Sequence, residues 1–371
     1  MILIILAISF SIYYVLLLSR ISHGWSQYKK EDYGNNGKSM FVTILIPFRN
    51  EEGNLKRNWD SIARHLNSIK DEIIYINDHS NDAGCEILEE LIANQKNARI
   101  IHLPEGKTGK KEALEFGIET ANNEWVLTTD ADCIYPKDWL QKMKAFVFSN
   151  KLRMGLGPVG LSHSEKFFSK IQSLEFAGLM TMGAASLKQD KANTCSGANL
   201  LYHKPSFYDV GGFEGNKEIA SGDDEFLMHK FYTLDPSSVG FVYDKDCLVL
   251  AKPAKRLGAF IQQRIRWASK GSAYEMKGMR VNQIFLGLYI LFFWFCFGLA
   301  FDGDHPLVQF ACALLFGTKL VFDYLVLSKS AKFFKVDALI SYLPVGIGIQ
   351  FIYVPIVGIL SLFMKGKWKG R

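Results

Sequence analysis

Residues 124–132 read EWVLTTDAD, a short apolar run that closes on two threonines and then on two aspartates separated by one alanine. A run this short, bounded by acids, reads as a buried strand. The pattern recurs on either side. Residues 41–47 (FVTILIP), 72–77 (EIIYIN) and 99–103 carry further strand patterns. Between them, Leu55, Trp59, Ile62 and Leu66 recur at spacings of 4, 3 and 4, one face of a helix, and residues 81–94 and 110–122 (KKEALEFGIETAN) also read as helical. Apolar strands alternating with amphipathic helices imply a mostly parallel sheet with helices on both faces, an α/β domain. Ligands bind such sheets outside the carboxyl ends of the strands. Asp78 follows the second strand, in Asn77-Asp78-His79-Ser80, and Asp130-Ala131-Asp132 follows the fourth, so both project onto one edge. Asp78 reads equally as a turn residue or a ligand. Two hard oxygen donors one residue apart, as at Asp130 and Asp132, can hold a Mg²⁺ or Mn²⁺ that bridges a diphosphate.

Composition narrows the class. The 371 residues are 49% hydrophobic and 22% charged, with 28 Phe and 15 Tyr, which suggests a polar domain joined to nearly uncharged segments. Ordinary Gly (31) and Pro (10) exclude collagen-like and disordered classes. A net charge of +6 without a matching local cluster gives no case for nucleic acid. The six cysteines form no C-x-x-C pair and read as reduced thiols.

The uncharged segments are membrane candidates. Residues 2–19 carry no charge and are about long enough for a ~30 Å hydrocarbon core. They lack the basic start and small-residue exit of a cleaved signal, so an anchor is expected. Arg20, Lys29 and Lys30 on its carboxyl side place the following domain in the cytoplasm. Residues 283–301 and 307–327 read as an outward and a return span, followed by Lys329, Lys332 and Lys335. Residues 338–364 are apolar again, but Pro344, Gly346, Gly348, Pro355 and Gly358 interrupt them, which leaves open a single crossing or a re-entrant hairpin. Lys319 and Asp323 sit one helical turn apart inside the return span. They read either as a buried pair knitting helices or as neighbours of a lipid head group.

Three further stretches stand out. Residues 195–202 (CSGANLLY) precede Gly211-Gly212-Phe213. Residues 221–227 (SGDDEFL) place three acids at the start of a helix. Gln262-Gln263-Arg264-Ile265-Arg266-Trp267 falls within residues 251–282, which hold eight basic residues and one acid and read as a basic amphipathic surface on anionic lipid.

Together these landmarks resemble the membrane-bound family 2 glycosyltransferases of the GT-A fold, the group that includes cellulose, hyaluronan and chitin synthases and ceramide glucosyltransferase. The likeness covers residues ~40–270 by motif order. It matches Asp78 to the aspartate beside the nucleotide base, with Asn77 where a second Asp is common. It matches Asp130 and Asp132 to the D-x-D metal motif, Asp132 being the closer ligand. Gly109-Lys110-Lys111-Glu112-Ala113-Leu114 matches G-K-x-x-A-L, although Glu115 stands where Asn is usual. Asp223-Asp224 matches the motif whose second acid is the general base, and Gln263, Arg266 and Trp267 match Q-x-x-R-W.

The likeness implies an anchor over residues 1–20, a cytoplasmic GT-A domain over 40–250, basic interfacial helices over 251–282, a membrane region over 283–364 and a basic tail over 365–371. It implies a multi-pass protein of the cell (inner) membrane that takes a nucleotide-diphosphate sugar, with uridine as the expected base, and Mg²⁺ or Mn²⁺. The acceptor is a lipid-linked or membrane-embedded one, lipid or glycan. Asp224 is expected to take the acceptor's proton. Asp132, Arg266 and Lys110 are expected to compensate the departing diphosphate, and Trp267 to wall the acceptor site. The few expected spans favour one transfer over polymer export. A processive synthase of the same family is the first alternative, and a membrane-tethered nucleotidyltransferase the second.

Overall fold

The computed structural model describes residues 1–34, 36–66, 70–219, 221–270, 277–301, 303 and 305–364, and the expected basic tail lies outside them. The chain divides into two compact units, one formed by Tyr28–Ser162 and Asp190–Pro253, the other by Met1–Gln27, His163–Gln189 and the described residues from Ala254.

The described residues of the first unit form nine strands: β1 (Val42–Phe48), β2 (Glu72–Asn77), β3 (Ala98–His102), β4 (Trp125–Thr128), β5 (Met154–Leu156), β6 (Val159–Leu161), β7 (Leu200–His203), β8 (Val239–Phe241) and β9 (Val249–Ala251). Seven form one sheet in the order β3-β2-β1-β4-β7-β5-β8, and β6 pairs with β9. The expected parallel block is present: β3, β2, β1 and β4 run side by side in one direction. Every residue of β1 is buried, as its unbroken apolar run requires. The helix Lys110–Thr120 packs so closely that a side chain at Gly117 would come within 2.5 Å of Ile76.

β7 runs antiparallel to both β4 and β5, with Thr128 opposite Leu200. An antiparallel strand begins at the edge where its parallel neighbours end. The turn before β7 therefore arrives beside Asp130.

Among the described residues of the second unit four helices are long and apolar enough to cross a membrane: Ile2–Ser26, Val281–Phe301, Pro306–Phe334 and Asp337–Phe363. The last contains one continuous α-helix, Leu343–Phe363, with Pro355 inside it, so the hairpin alternative gives way to a single helix. Lys319 and Asp323 pair at 2.7 Å, and the Tyr14 hydroxyl bonds both. Lys319 is buried, in keeping with the interhelical reading. A further helix, Phe167–Leu187, belongs to this unit and has no counterpart among the expected spans. Its Ala185 carbonyl meets Gly24 of the first helix so closely that no Cβ fits at Gly24.

One buried ion pair anchors the sheet from below. Lys144 donates to both oxygens of Asp71 at 3.1 and 3.0 Å, both side chains are 4% exposed, and Asp71 also accepts the Val42 N–H at 2.8 Å. Removing one partner of such a pair strands a buried charge. Lys144→Met is expected to cost about 3–5 kcal/mol, read as a lowered denaturation midpoint of detergent-solubilised protein. Adding Asp71→Asn should recover part of that loss. A single variant as stable as the wild type would show that the pair contributes nothing net.

Candidate active site

The expected ligand edge is built from four segments. At the end of β2, Asp78 is fully buried, and its Oδ2 accepts the Gly109 N–H at 3.1 Å. That bond ties the β2 end to the turn that opens the helix Lys110–Thr120. Gly109 has φ +98°, a conformation that favours glycine, and it lets the helix start directly at Lys110.

Lys110 reaches Asp130 Oδ1 at 2.9 Å and Asp223 Oδ2 at 3.1 Å. Burial alone would lower its ammonium. The charges of Asp130, then Asp223 and Asp224, outweigh that and hold it well above the ordinary lysine value. One cation thus joins the acid after β4 to an acid more than ninety residues later.

The third segment is the turn before β7. Thr128 and Thr129 donate to the carbonyls of Gly197 and Ala198 at 3.0 and 2.8 Å. The Gly197 N–H in turn donates to Asp224 Oδ2 at 2.9 Å. In the fourth segment, Asp224 caps the helix Glu225–Leu234, with Oδ1 accepting the Glu225 N–H at 2.8 Å. Asp223 is buried and engaged with Lys110, whereas Asp224 is half-buried.

The neighbouring helix face holds the loop that leads to these acids. Lys111 donates to the carbonyls of Asn216 and Ile219 at 2.5 and 2.9 Å, and Glu115 pairs with Lys217 at 2.6 Å. The position where the motif pattern is broken therefore has a local structural partner.

Asp78, Lys110, Asp130, Asp132 and Asp224 all lie in the sheet unit. Gln263, Arg266 and Trp267 lie on the helix Leu257–Ser269 of the other unit.

Residues 43–211 match the family described as Glycosyl transferase family 2. The matched stretch takes in β1 to β7 of the sheet unit and the helix Phe167–Leu187. Over 258 residues, 68% of this chain and 60% of the relative, the chain is 27% identical to a poly-beta-1,6-N-acetyl-D-glucosamine synthase of Staphylococcus epidermidis. Over 237 residues, 62% of this chain and 54% of the relative, it is 29% identical to the enzyme of that name from Staphylococcus aureus. The chain thus spans little more than half the length of these curated relatives. Among solved structures, a mannosyltransferase from Pyrobaculum calidifontis in complex with GDP-Man and Mn²⁺ shares the fold. It has a TM-score of 0.62 and 17% identity, with 94% of this chain and 99% of that chain covered.

The sheet edge offers a metal ion two carboxylates, Asp130 and Asp132. Burial pushes the Asp132 carboxyl up to about 6, with the charge of Asp130 adding to the effect, so this acid lacks a full counter-charge although Lys110 lies nearby. Hard oxygen donors short of positive charge fit Mg²⁺ or Mn²⁺. Among the described residues no three His, Cys, Asp or Glu side chains gather as a ready-made ligand set. The remaining positions on an ion would fall to substrate and water.

Two features were not assigned from sequence: Asp223 as the second partner of Lys110, and Gly197. The acid run and the CSGANLLY stretch were their only signals. A Cβ at Gly197 would lie 3.0 Å from Asp223 Oδ2 and 3.4 Å from both Lys110 Nζ and Asp224 Cβ. Gly197→Ala is therefore expected to push the acids apart, lowering nucleotide-sugar turnover at least tenfold, about 1.4 kcal/mol of transition-state stabilisation. The thermal midpoint should move little, because the loss is local. Wild-type turnover in this variant would show that the close approach at Gly197 is dispensable.

Proposed function

We propose that the protein is an inverting glycosyltransferase that moves a sugar from a nucleoside-diphosphate sugar to a lipid-linked or membrane-embedded acceptor. One observation supports the reading: Lys110 joins the acid of the D-x-D motif to the acid run that contains Asp224, so the acids proposed for the two ends of a displacement reaction share one sheet edge.

The reaction is an in-line displacement. The acceptor hydroxyl oxygen forms a bond to the anomeric carbon as the bond from that carbon to the diphosphate oxygen breaks, and that oxygen keeps the electron pair. The acceptor's proton passes to Asp224. General-base assistance of this kind contributes ~10²–10⁴ in rate. Asp224 suits the task because its two backbone N–H bonds fix its direction and it keeps access to solvent, whereas Asp223 is committed to Lys110.

Asp130 and Asp132 would hold the divalent ion, which supplies positive charge to the departing diphosphate. Lys110 adds a fixed cation at the same edge, and Asp78 marks the nucleotide side. Gln263, Arg266 and Trp267 are assigned from their motif alone: Arg266 to the diphosphate, Trp267 to the wall of the acceptor site, and Gln263 as their companion in the motif.

The four apolar helices support a membrane-embedded protein, with the domain between the first and second facing the cytoplasmic pool of nucleotide sugars. The candidate spans among the described residues number four, few for a polymer channel, which favours a single transfer. The curated relatives favour a second reading, processive synthesis, since both are named as poly-N-acetylglucosamine synthases. UDP-N-acetylglucosamine is accordingly the first donor to test. With membrane lipids as acceptors, mass analysis should find a product heavier by one sugar. A ladder of additions would favour the synthase reading instead.

Two variants separate the proposed roles. Asp224→Asn should lower turnover by about 10²-fold or more while donor affinity stays near wild type, because the base meets the acceptor. Asp132→Ala should weaken donor binding in the presence of Mn²⁺, because the ion loses a charged ligand. Wild-type turnover in the first, or unchanged Mn²⁺-dependent affinity in the second, would remove that residue from the mechanism.

A further inference from the structure

Arg264 lies inside the Q-x-x-R-W motif yet has no part in the chemistry above. Its side chain is 6% exposed. Nη2 donates to Glu175 Oε2 at 2.9 Å and Nε to Glu175 Oε1 at 3.3 Å. Glu175 belongs to the helix Phe167–Leu187 and also accepts the hydroxyl of Tyr353. Tyr353 sits halfway along the last apolar helix, Leu343–Phe363. All of these residues belong to the membrane unit.

A structural ion pair would need only Glu175 and Arg264. Here the guanidinium does more. Its Nη1 donates to the Gln263 side-chain oxygen at 2.9 Å, and its central carbon lies 4.4 Å from the centroids of both the Trp267 and the Phe260 rings. Arg264 therefore touches two of the three motif side chains. Phe176, next to Glu175, brings its ring centroid to 6.1 Å from that of Trp267, and Phe260 meets Tyr353 edge-on at 5.2 Å. A planar guanidinium held by a carboxylate fork has its plane fixed. A ring stacked against that plane is fixed with it. Loss of the Tyr353 hydroxyl loosens Glu175, then Arg264, then Gln263 and Trp267.

We infer that Glu175, Arg264 and Tyr353 form a positioning network that sets the Gln263 amide and the Trp267 indole for transfer, and that through it the last apolar helix governs turnover. The inference rests on the transferase reading above.

Tyr353→Phe keeps the ring against Phe260 and deletes only the hydroxyl, while Glu175→Gln keeps shape and removes charge. Both should lower kcat, by about fivefold and about fiftyfold, with donor KM within about twofold of wild type, since small misplacements near reacting groups act on the rate. In a Trp267→Phe background the effect of Tyr353→Phe should largely vanish, because the two act in series. A readout independent of activity is ¹⁹F NMR of protein labelled with 5-fluorotryptophan, with the Trp267 resonance identified by its absence in Trp267→Phe. That resonance should shift in Tyr353→Phe and Glu175→Gln while the thermal midpoint of Tyr353→Phe stays near wild type. If Glu175→Gln fails to fold, Tyr353→Phe decides alone. An unmoved resonance, or a moved resonance with wild-type kcat, overturns the inference. Absence of transfer in the wild type would instead sink the transferase reading, and the resonance would still decide whether the network holds Trp267.

Discussion

Five carboxylates converge on one sheet edge, and Lys110 allows three of them to do so. Asp130, Asp223 and Asp224 carry like charges in a partly buried setting, where their repulsion is poorly screened. Lys110 binds two of them directly, at 2.9 and 3.1 Å, and shares the field of the third. It can do so because it is the first residue of its helix, delivered by a glycine whose amide is fixed by Asp78. Asp78, the Asp130–Asp132 pair and the segment with Asp223 and Asp224 are thus placed by one ammonium group and the turn that aims it. Without that cation their mutual repulsion would push these acids apart.

The reversed strand β7 is the architectural counterpart of that lysine. A purely parallel sheet would send every incoming turn to the amino edge, away from Asp78 and Asp130. Because β7 opposes β4, with Leu200 across from Thr128, the turn carrying Gly197 enters at the carboxyl edge. Two threonines at the end of β4 clamp that turn through its carbonyls. Its free amide is then available for Asp224, and the absence of a side chain at Gly197 lets Asp223 and Lys110 close in. Sheet direction, threonine clamp and glycine together bring the acids to working distance.

Much of this was legible before any coordinates. The apolar runs at residues 41–47, 72–77, 99–103 and 124–129 identify the parallel block, since a strand buried on both faces shows an unbroken apolar run whatever surrounds it. The position of Asp78 and Asp130 just past two such runs then follows from strand direction alone. The direction of β7 was not legible, because residues 200–203 are equally apolar either way round. Nor were the partners of Lys110 at Asp223, of Arg264 at Glu175 and of Glu175 at Tyr353, which are separated by 113, 89 and 178 positions. Local periodicity carries no information about such pairings. The helix Phe167–Leu187 escaped notice for a related reason: its Ser, Thr, Gly and Ala residues pack against neighbouring helices, so its apolar face is broad but weakly hydrophobic.

The membrane unit repeats one solution twice. Lys319 with Asp323, and Arg264 with Glu175, are buried ion pairs, and each recruits a tyrosine hydroxyl from another helix, Tyr14 in the first and Tyr353 in the second. Charges taken from water recover their desolvation cost only where the remaining lone pairs and protons are also satisfied. A tyrosine suits that need, because its ring is at home among apolar helices while its hydroxyl completes the polar group. The two clusters differ in what their cation does with its remaining surface. A lysine ammonium is compact, and Lys319 spends its donors on Asp323 and Tyr14. An arginine has five donors and two faces, so after Glu175 is satisfied Arg264 still has a donor for Gln263 and aromatic contacts with Trp267. The first cluster therefore holds helices together. The second holds helices together and passes their arrangement on to the motif, which is why an arginine stands there.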